Sequence, residues 1–223
     1  MASLTIENYV KTIYQIVARQ DGRPAATGQL AAALGVSPGT VTSMLKTLSD
    51  TGLAEYTPYE GVRLTEAGRK LALRVLRRHR LIELFLVETL KLTWDEVHEE
   101  AENMEHAVSD LLVDRIDEYL GFPAADPHGD PIPKADGTIT STPGQNLTDW
   151  PAGHRFRLVR VIDQSPKFLR YLSEAGIPLG AEGRVTETSP EAGTITIEID
   201  GRQVTMSHEV AGRLRVAAPI EVA

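Results

Sequence analysis

Three of the six histidines fall between positions 79 and 106, and each has glutamates at helical spacing. His79 and Glu83 are four residues apart, and His98, Glu102, Glu105 and His106 follow one another at intervals of 4, 3 and 1. In a continuous helix, turning about 100° per residue, those last four share one face. Val97, Ala101, Met104, Val108 and Leu111 group on another, which predicts the core stripe. Imidazole nitrogens and carboxylate oxygens on a common face are the donors a divalent transition metal takes. A solvated acidic helix face is the competing reading, and the clustering of three histidines favours metal. The chain has no Cys, so no thiolate is available for a soft metal site. The spacing does not fit a zinc peptidase, because 98–102 lacks the second His of H-E-x-x-H and offers no evident general base. No enzyme is expected. His128, His154 and His208 are scattered and read as surface or satisfied side chains.

A second chemistry lies earlier, in TGQLAAALGVSPGTVTSMLKTL at 27–48. Two short helices meet at Gly35, with Leu30, Leu34, Val41, Met44 and Leu45 able to form a shared core and Ala31 small enough for close contact. Ser37, Pro38, Gly39, Thr40, Thr42 and Ser43 then cluster at the start of the second helix, with Lys46 a turn beyond. A recognition helix touches bases with its first residues while its free N–H groups face phosphate. Short hydroxyls pair with several bases, so part of the discrimination would rest on DNA shape. The segments 53–56 and 62–64 around Pro58-Tyr59-Glu60-Gly61 read as a hairpin, a wing whose Tyr59 and Arg63 would contact the DNA backbone.

The elements that must position these groups follow from periodicity and caps. Apolar spacing predicts a helix over about 4–19, a second starting at the cap Thr27, and a third opened by Ser37-Pro38. Thr65 caps a long helix over about 66–90. Thr93-Trp94-Asp95-Glu96 fits a capping box opening one helix that runs to about Leu120. Residues 122–153 are rich in Pro and Gly and read as a linker. From 154 onward short alternating segments predict a small β barrel with one helix near 167–175. The fold class is mainly α with a small β domain. Its divisions are a winged helix-turn-helix over 1–65, a helical domain over 66–121, the linker, and a barrel over 154–223.

Charge divides along the same line. Residues 1–80 carry 11 Lys+Arg and 6 Asp+Glu, whereas 81–223 carry 12 and 25, within a whole-chain net charge of −8. A basic end suits phosphates and an acidic remainder suits cations. The start, MASLTIENYVK, has no basic stretch before an apolar core, and no apolar run approaches a bilayer span. A cytoplasmic protein without membrane partners is expected.

The same order of elements, with ENYVKTIY at 7–14, SPGTVTSML at 37–45, RRHRLIELFL at 77–86, VHEEAENMEHAVSD at 97–110, HGDPIP at 128–133 and LRYLSEAGIPLG at 169–180, resembles the diphtheria toxin repressor family of iron- and manganese-dependent repressors. The resemblance implies a homodimer built on the helical domain and an SH3-like, FeoA-like barrel. It matches His79, Glu83 and His98 to an ancillary metal site, and Glu102, Glu105 and His106 with Asn8 to a regulatory one. Iron-responsive members tend to carry Cys where this chain has Glu102. They carry Met, and manganese-type members Asp, where it has Asn8. A hard carboxylate in place of a thiolate points to Mn²⁺ first and Fe²⁺ second, with other divalent ions able to substitute in vitro. In the barrel, Gln164 and Lys167 fall where some relatives offer ligands; a lysine cannot coordinate as its ammonium, so a barrel contribution would come from Asp163 or Gln164.

The expected function is a metal-dependent transcriptional repressor, the ion acting as corepressor at palindromic double-stranded DNA operators of metal-homeostasis genes. Without metal, repulsion between Glu102 and Glu105 would let the two reading heads sample other spacings. The rival readings are a winged-helix regulator answering a non-metal ligand or partner, and a metalloenzyme. The first would show no DNA response to a chelator.

Overall fold

The computed structural model describes residues 3–140 and 143–219. It divides into two compact units: Met1–His79 with Glu105–Val108 and Pro133–Thr138, and Arg80–Met104 with Ser109–Ile132 and Ile139–Ala223.

The first unit is a winged helix-turn-helix. Helix α1 (Leu4–Arg19) is capped by Ser3, whose Oγ accepts the Ile6 amide. Helix α2 is Thr27–Leu34, and its cap is Ala26 rather than the expected Thr27. The backbone amide of Ala26 donates to the Gln29 carboxamide at 2.9 Å, so a side chain from the first turn reaches back to the cap residue's own amide. Gly35 ends α2 in the left-handed conformation at φ 65°. Helix α3 (Pro38–Asp50) opens as expected, with the Ser37 hydroxyl accepting the Thr40 amide at 3.1 Å and Pro38 in the first turn. Strands β1 (Ala54–Thr57) and β2 (Gly61–Leu64) pair antiparallel to form the wing. Tyr9, Val10, Ile13, Leu30, Val41, Leu45, Leu48 and Val62 are buried together in one core. Helix α4 (Glu66–Leu90) follows, and Gly68 is where it passes the wing. A Cβ there would sit 1.9 Å from the Leu53 carbonyl, so only glycine admits that approach.

In the second unit the predicted single helix over 93–120 is two. Helix α5 (Val97–Met104) stops before Glu105, and α6 (Asp110–Tyr119) starts afresh with the Ser109 hydroxyl capping the Leu112 amide at 3.2 Å. One half of the capping box forms, the Thr93 amide donating to Glu96 at 2.9 Å, while the Glu96 amide donates to the Thr93 carbonyl. Beyond Met104 the angular argument for a common helix face therefore fails, and Leu111, placed on the core stripe, is 69% exposed.

Residues 122–153 are not a free spacer either. Asp126, His128, Asp130 and Ile132 are buried, and β3 (Gln145–Asn146) joins the C-terminal sheet. Here proline and glycine build a tight turn instead of a flexible tether. The sheet continues with β4 (Arg155–Val161), β5 (Glu182–Ser189), β6 (Thr194–Ile199), β7 (Arg202–Ser207) and β8 (Leu214–Ala217), in the order β3-β8-β4-β5-β6-β7. Helix α7 (Pro166–Glu174) covers it, burying Phe168, Leu169 and Leu172, and the short α8 (His208–Ala211) precedes the last strand. Among the described residues no helix is long and apolar enough to cross a membrane.

Candidate metal centres and nucleic-acid interface

In the first unit, α1 and the turn after α5 supply a buried polar cluster. Glu105 is fully buried, and its Oε2 lies 2.6 Å from His79 Nδ1. Its Oε1 accepts from the Lys11 ammonium at 2.6 Å and stands 3.2 Å from His106 Nε2. Burial opposes the Glu105 charge, yet the hydrogen bonds and positive charge of His79 and Lys11 hold its carboxyl below the usual range. The expected repulsion centred on Glu105 is thus corrected. Its charge is already met within its own unit.

His106 is held on both nitrogens. Nδ1 lies 2.7 Å from Glu7 and Nε2 lies 2.7 Å from the Asn8 side chain. Nδ1 turned to the Glu7 carboxylate orients the ring and points Nε2 at the oxygens of Asn8 and Glu105, which places imidazole and oxygen donors together. Glu7 is itself buried and 3.9 Å from Arg78. Sequence reasoning took Asn8 from this helix and missed Glu7 and Lys11. Neither carries a local signal, since both lie off the apolar stripe of Tyr9, Val10, Ile13 and Val17, and only their distant partners single them out.

In the second unit the centre is Glu83. Its Oε1 lies 3.3 Å from His98 Nδ1, and His98 Nε2 lies 3.9 Å from Glu102. Its Oε2 is 3.8 Å from His128 Nδ1, which is also 3.9 Å from Asp126. His128 is entirely buried, contrary to its reading as a surface or satisfied histidine. Its Nε2 donates to the Trp94 carbonyl at 2.8 Å, which fixes the tautomer and leaves the Nδ1 lone pair, with no hydrogen-bond partner, facing the two carboxylates. Ligand atoms of Glu83, Asp126 and His128 lie within 4.8 Å of one another.

A lone pair aimed at anions is electrostatically incomplete, and a divalent cation completes it. Asp126 carries the same message. Burial, Asp130 and Glu83 push its carboxyl well above the usual range, although Arg80 opposes them. The turn that places His128 is locked by Asp126 Oδ1, which accepts the amides of His128 and Asp130 at 2.8 and 2.9 Å. Gly129 lies against β4, where a Cβ would come within 2.1 Å of the Val159 carbonyl. His154 is exposed and His208 half-buried, and neither belongs to these clusters. In the barrel, Asp163 accepts from Arg213 at 2.6 Å and from the Ser165 amide at 2.9 Å, so its carboxylate is already engaged.

The residues that the sequence predicts to face DNA lie where α3 meets the wing. Thr42 and Lys46 of α3, Ala26 and Thr27 of α2, and Tyr56, Pro58, Tyr59 and Gly61 of the wing line a groove of about 590 Å³. Ser37, Pro38, Gly39, Thr40 and Ser43 are exposed at the start of α3. Three of the hydroxyls are partly committed: Ser37 to its cap and, at 2.9 Å, to the Thr40 hydroxyl, and Thr42 Oγ1 to the Pro38 carbonyl at 3.0 Å. Tyr59 stands fully exposed at the wing tip with φ 69°. Arg63 turns one guanidinium nitrogen back to the Gly22 carbonyl, so it braces the wing as well as facing solvent. Replacing Lys46 with Ala should weaken binding alike for all DNA sequences and lower the slope of log affinity against log salt by about one phosphate contact, about 0.9. A salt titration of fluorescence anisotropy measures it.

Residues 1–62 match the family described as the iron dependent repressor N-terminal DNA binding domain. Residues 65–134 match its metal binding and dimerisation domain, and 145–218 match the FeoA domain. The iron-dependent repressor IdeR of Mycobacterium tuberculosis (strain ATCC 25618 / H37Rv) is 32% identical over 95% of this chain and 96% of its own. A solved manganese-dependent transcriptional repressor in complex with manganese is 39% identical, with a TM-score of 0.85 over 96% of this chain and all of the other. The manganese regulator SloR is 34% identical with a TM-score of 0.77, over 96% of this chain and 98% of its own. With a winged reading head, buried histidine–carboxylate clusters and relatives matched nearly end to end, the chain belongs to the diphtheria toxin repressor family of metal-dependent, DNA-binding transcriptional repressors.

Proposed function

We propose that this chain is a Mn²⁺-responsive repressor that binds palindromic operators as a homodimer. The observation that carries metal binding is the buried His128 Nδ1, a lone pair without a hydrogen-bond partner facing Glu83 and Asp126. Two groups of ligands are proposed. Glu83 is the hub of one, with His98, His128 and Asp126, and with His79 one turn before it on α4. Glu105 and His106 are the hub of the other, with Asn8 and Glu102. Every donor is oxygen or imidazole nitrogen, which supports Mn²⁺ over softer ions. Fe²⁺ is the second reading, favoured by the likeness to IdeR, an iron-dependent repressor.

The bound ion supplies a double positive charge that draws carboxylates and imidazoles together. The chain's own residues do the rest. Asn8 lies on α1 beside Tyr9, Val10 and Ile13, which belong to the same core as Val41 and Leu45 of the recognition helix. A pull on Asn8 is therefore felt at α3 through packed side chains, which move as a body. Operators in metal-homeostasis genes are the proposed targets, with half-sites about 34 Å apart, one turn of DNA.

The test is calorimetric titration of metal-free protein with Mn²⁺, Fe²⁺ and Zn²⁺. Wild type should bind Mn²⁺, and His128→Ala should lose at least about tenfold in affinity at one site, since even supporting residues cost about 10–100-fold. Unchanged Mn²⁺ binding in His128→Ala would remove that residue from the ligand set. Absence of any Mn²⁺ binding in wild type would refute the manganese reading.

A further inference from the structure

A lysine sits inside the ligand cluster of the first unit. Lys11 is only 5% exposed, and its ammonium lies 2.6 Å from Oε1 of the fully buried Glu105. That oxygen is 3.2 Å from His106 Nε2, which also meets Asn8 at 2.7 Å, while Glu7 takes Nδ1. The other oxygen, Oε2, is held by His79 at 2.6 Å. The carboxylate edge that a metal would share with His106 is therefore the edge that Lys11 occupies.

An ion joining Glu105 Oε1 to His106 Nε2 would stand about 2.0–2.2 Å from the carboxylate oxygen. With the ammonium 2.6 Å from that same oxygen, the two positive charges would be less than about 5 Å apart in a site closed to water. Like charges at that distance repel strongly even at an effective dielectric constant of about 20. Sharing Oε1 between the ion and the ammonium is therefore disfavoured. The lysine stem is long and has four rotatable bonds, so the ammonium can leave without moving α1.

We propose that Lys11 is a tethered competitor for the metal, holding Glu105 in the metal-free protein and releasing it when an ion binds, so that it sets the metal concentration at which the repressor responds. The competitor and the ligand Asn8 are on the same helix, three residues apart, and both reach the Glu105–His106 pair. Metal binding therefore releases the Lys11 tie from α1 to Glu105, while the contact of Glu7 with His106 Nδ1 on the same helix can persist. The proposal rests on the reading of Glu105 and His106 as metal ligands.

Two measurements test it. In wild type, NMR of the lysine ammonium groups should show a slowly exchanging, ion-paired Lys11 signal in metal-free protein, identified by its absence in Lys11→Arg. Saturating Zn²⁺, which is diamagnetic, should abolish or shift that signal. In calorimetry Lys11→Met should bind Mn²⁺ at least tenfold more tightly than wild type, while Lys11→Arg, which keeps the charge, should not. The midpoint of the operator response should move to lower Mn²⁺ by the same factor.

Zn²⁺ binding measured by calorimetry with the Lys11 signal unchanged would overturn the competition and leave the metal reading standing. So would weaker or equal Mn²⁺ binding by a folded Lys11→Met, the result of a purely structural lysine. If Lys11→Met does not fold, the wild-type NMR result decides alone. No calorimetric heat with either ion in wild type would overturn both the competition and the ligand assignment beneath it.

Discussion

Glu105→Ala should abolish the metal response of operator binding. The carboxylate joins His79, Lys11 and His106 within the first unit. Its removal deletes a proposed ligand, and the loss of metal affinity should be at least about 100-fold, above the about 10–100-fold typical of supporting residues. The same change strands the Lys11 ammonium in a buried site. Breaking one half of a buried ion pair costs about 3–5 kcal/mol, so thermal unfolding in chelator should show a clear loss of stability. Glu105→Gln separates the two effects, since its amide fills the same volume and its oxygen can still accept from Lys11. Anisotropy of a labelled operator against free Mn²⁺, read beside melting curves, tests both. A Glu105→Gln variant with the wild-type metal response would take Glu105 out of the regulatory set.

The second large effect is expected on α6. Leu112 is 48% and Tyr119 is 69% exposed, and being seven positions apart they lie on one face of the helix. Leu111 and Phe122, 69% and 71% exposed, extend the patch. Phe85 of α4 adds its ring to Tyr119 at 6.1 Å. Such a contiguous apolar surface on a domain described as the dimerisation domain marks the subunit contact we propose. Leu112→Glu with Tyr119→Glu would place charge where two copies meet, and sedimentation should show a monomer. Operator affinity should then fall by about 10²–10⁴, because two linked heads bind far more tightly than one. The winged helix itself should remain folded, since its core lies in the first unit. A dimer of unchanged strength would exclude this face.

Much of this architecture is legible in the sequence because local signals agree with it. Ser37-Pro38 starts the recognition helix, Gly35 ends the helix before it, and the wing has its turn residues at 58–61. The sheet strands follow from alternation. The break between α5 and α6 is harder to read. Apolar spacing runs straight through it, and Glu105 turns inward only because Lys11, 94 residues away, and His79, 26 away, await it. Ser109 was the local signal, a cap in the middle of an apparently continuous period.

The candidate sites divide in the same way. Histidines and glutamates at helical spacing announce themselves, so His98, Glu102, Glu105 and His106 can be named before any coordinates. His128 cannot, because it lies in a proline- and glycine-rich stretch whose composition resembles a tether. Its burial depends on two distant contacts, the Trp94 carbonyl and the approach of Gly129 to Val159. Glu7 and Lys11 look like the polar side of an ordinary amphipathic helix until their partners at 105–106 are known.

Binding of a fluorescent operator by the wild-type protein, measured at fixed salt from full chelation to saturating free Mn²⁺, tests the central claim most directly. The account predicts weak, salt-sensitive binding in chelator and affinity higher by about 100-fold with Mn²⁺, within the range of allosteric coupling. It also predicts that operator DNA raises Mn²⁺ affinity by the same factor. Equal operator affinity in chelator and in saturating Mn²⁺ would contradict it.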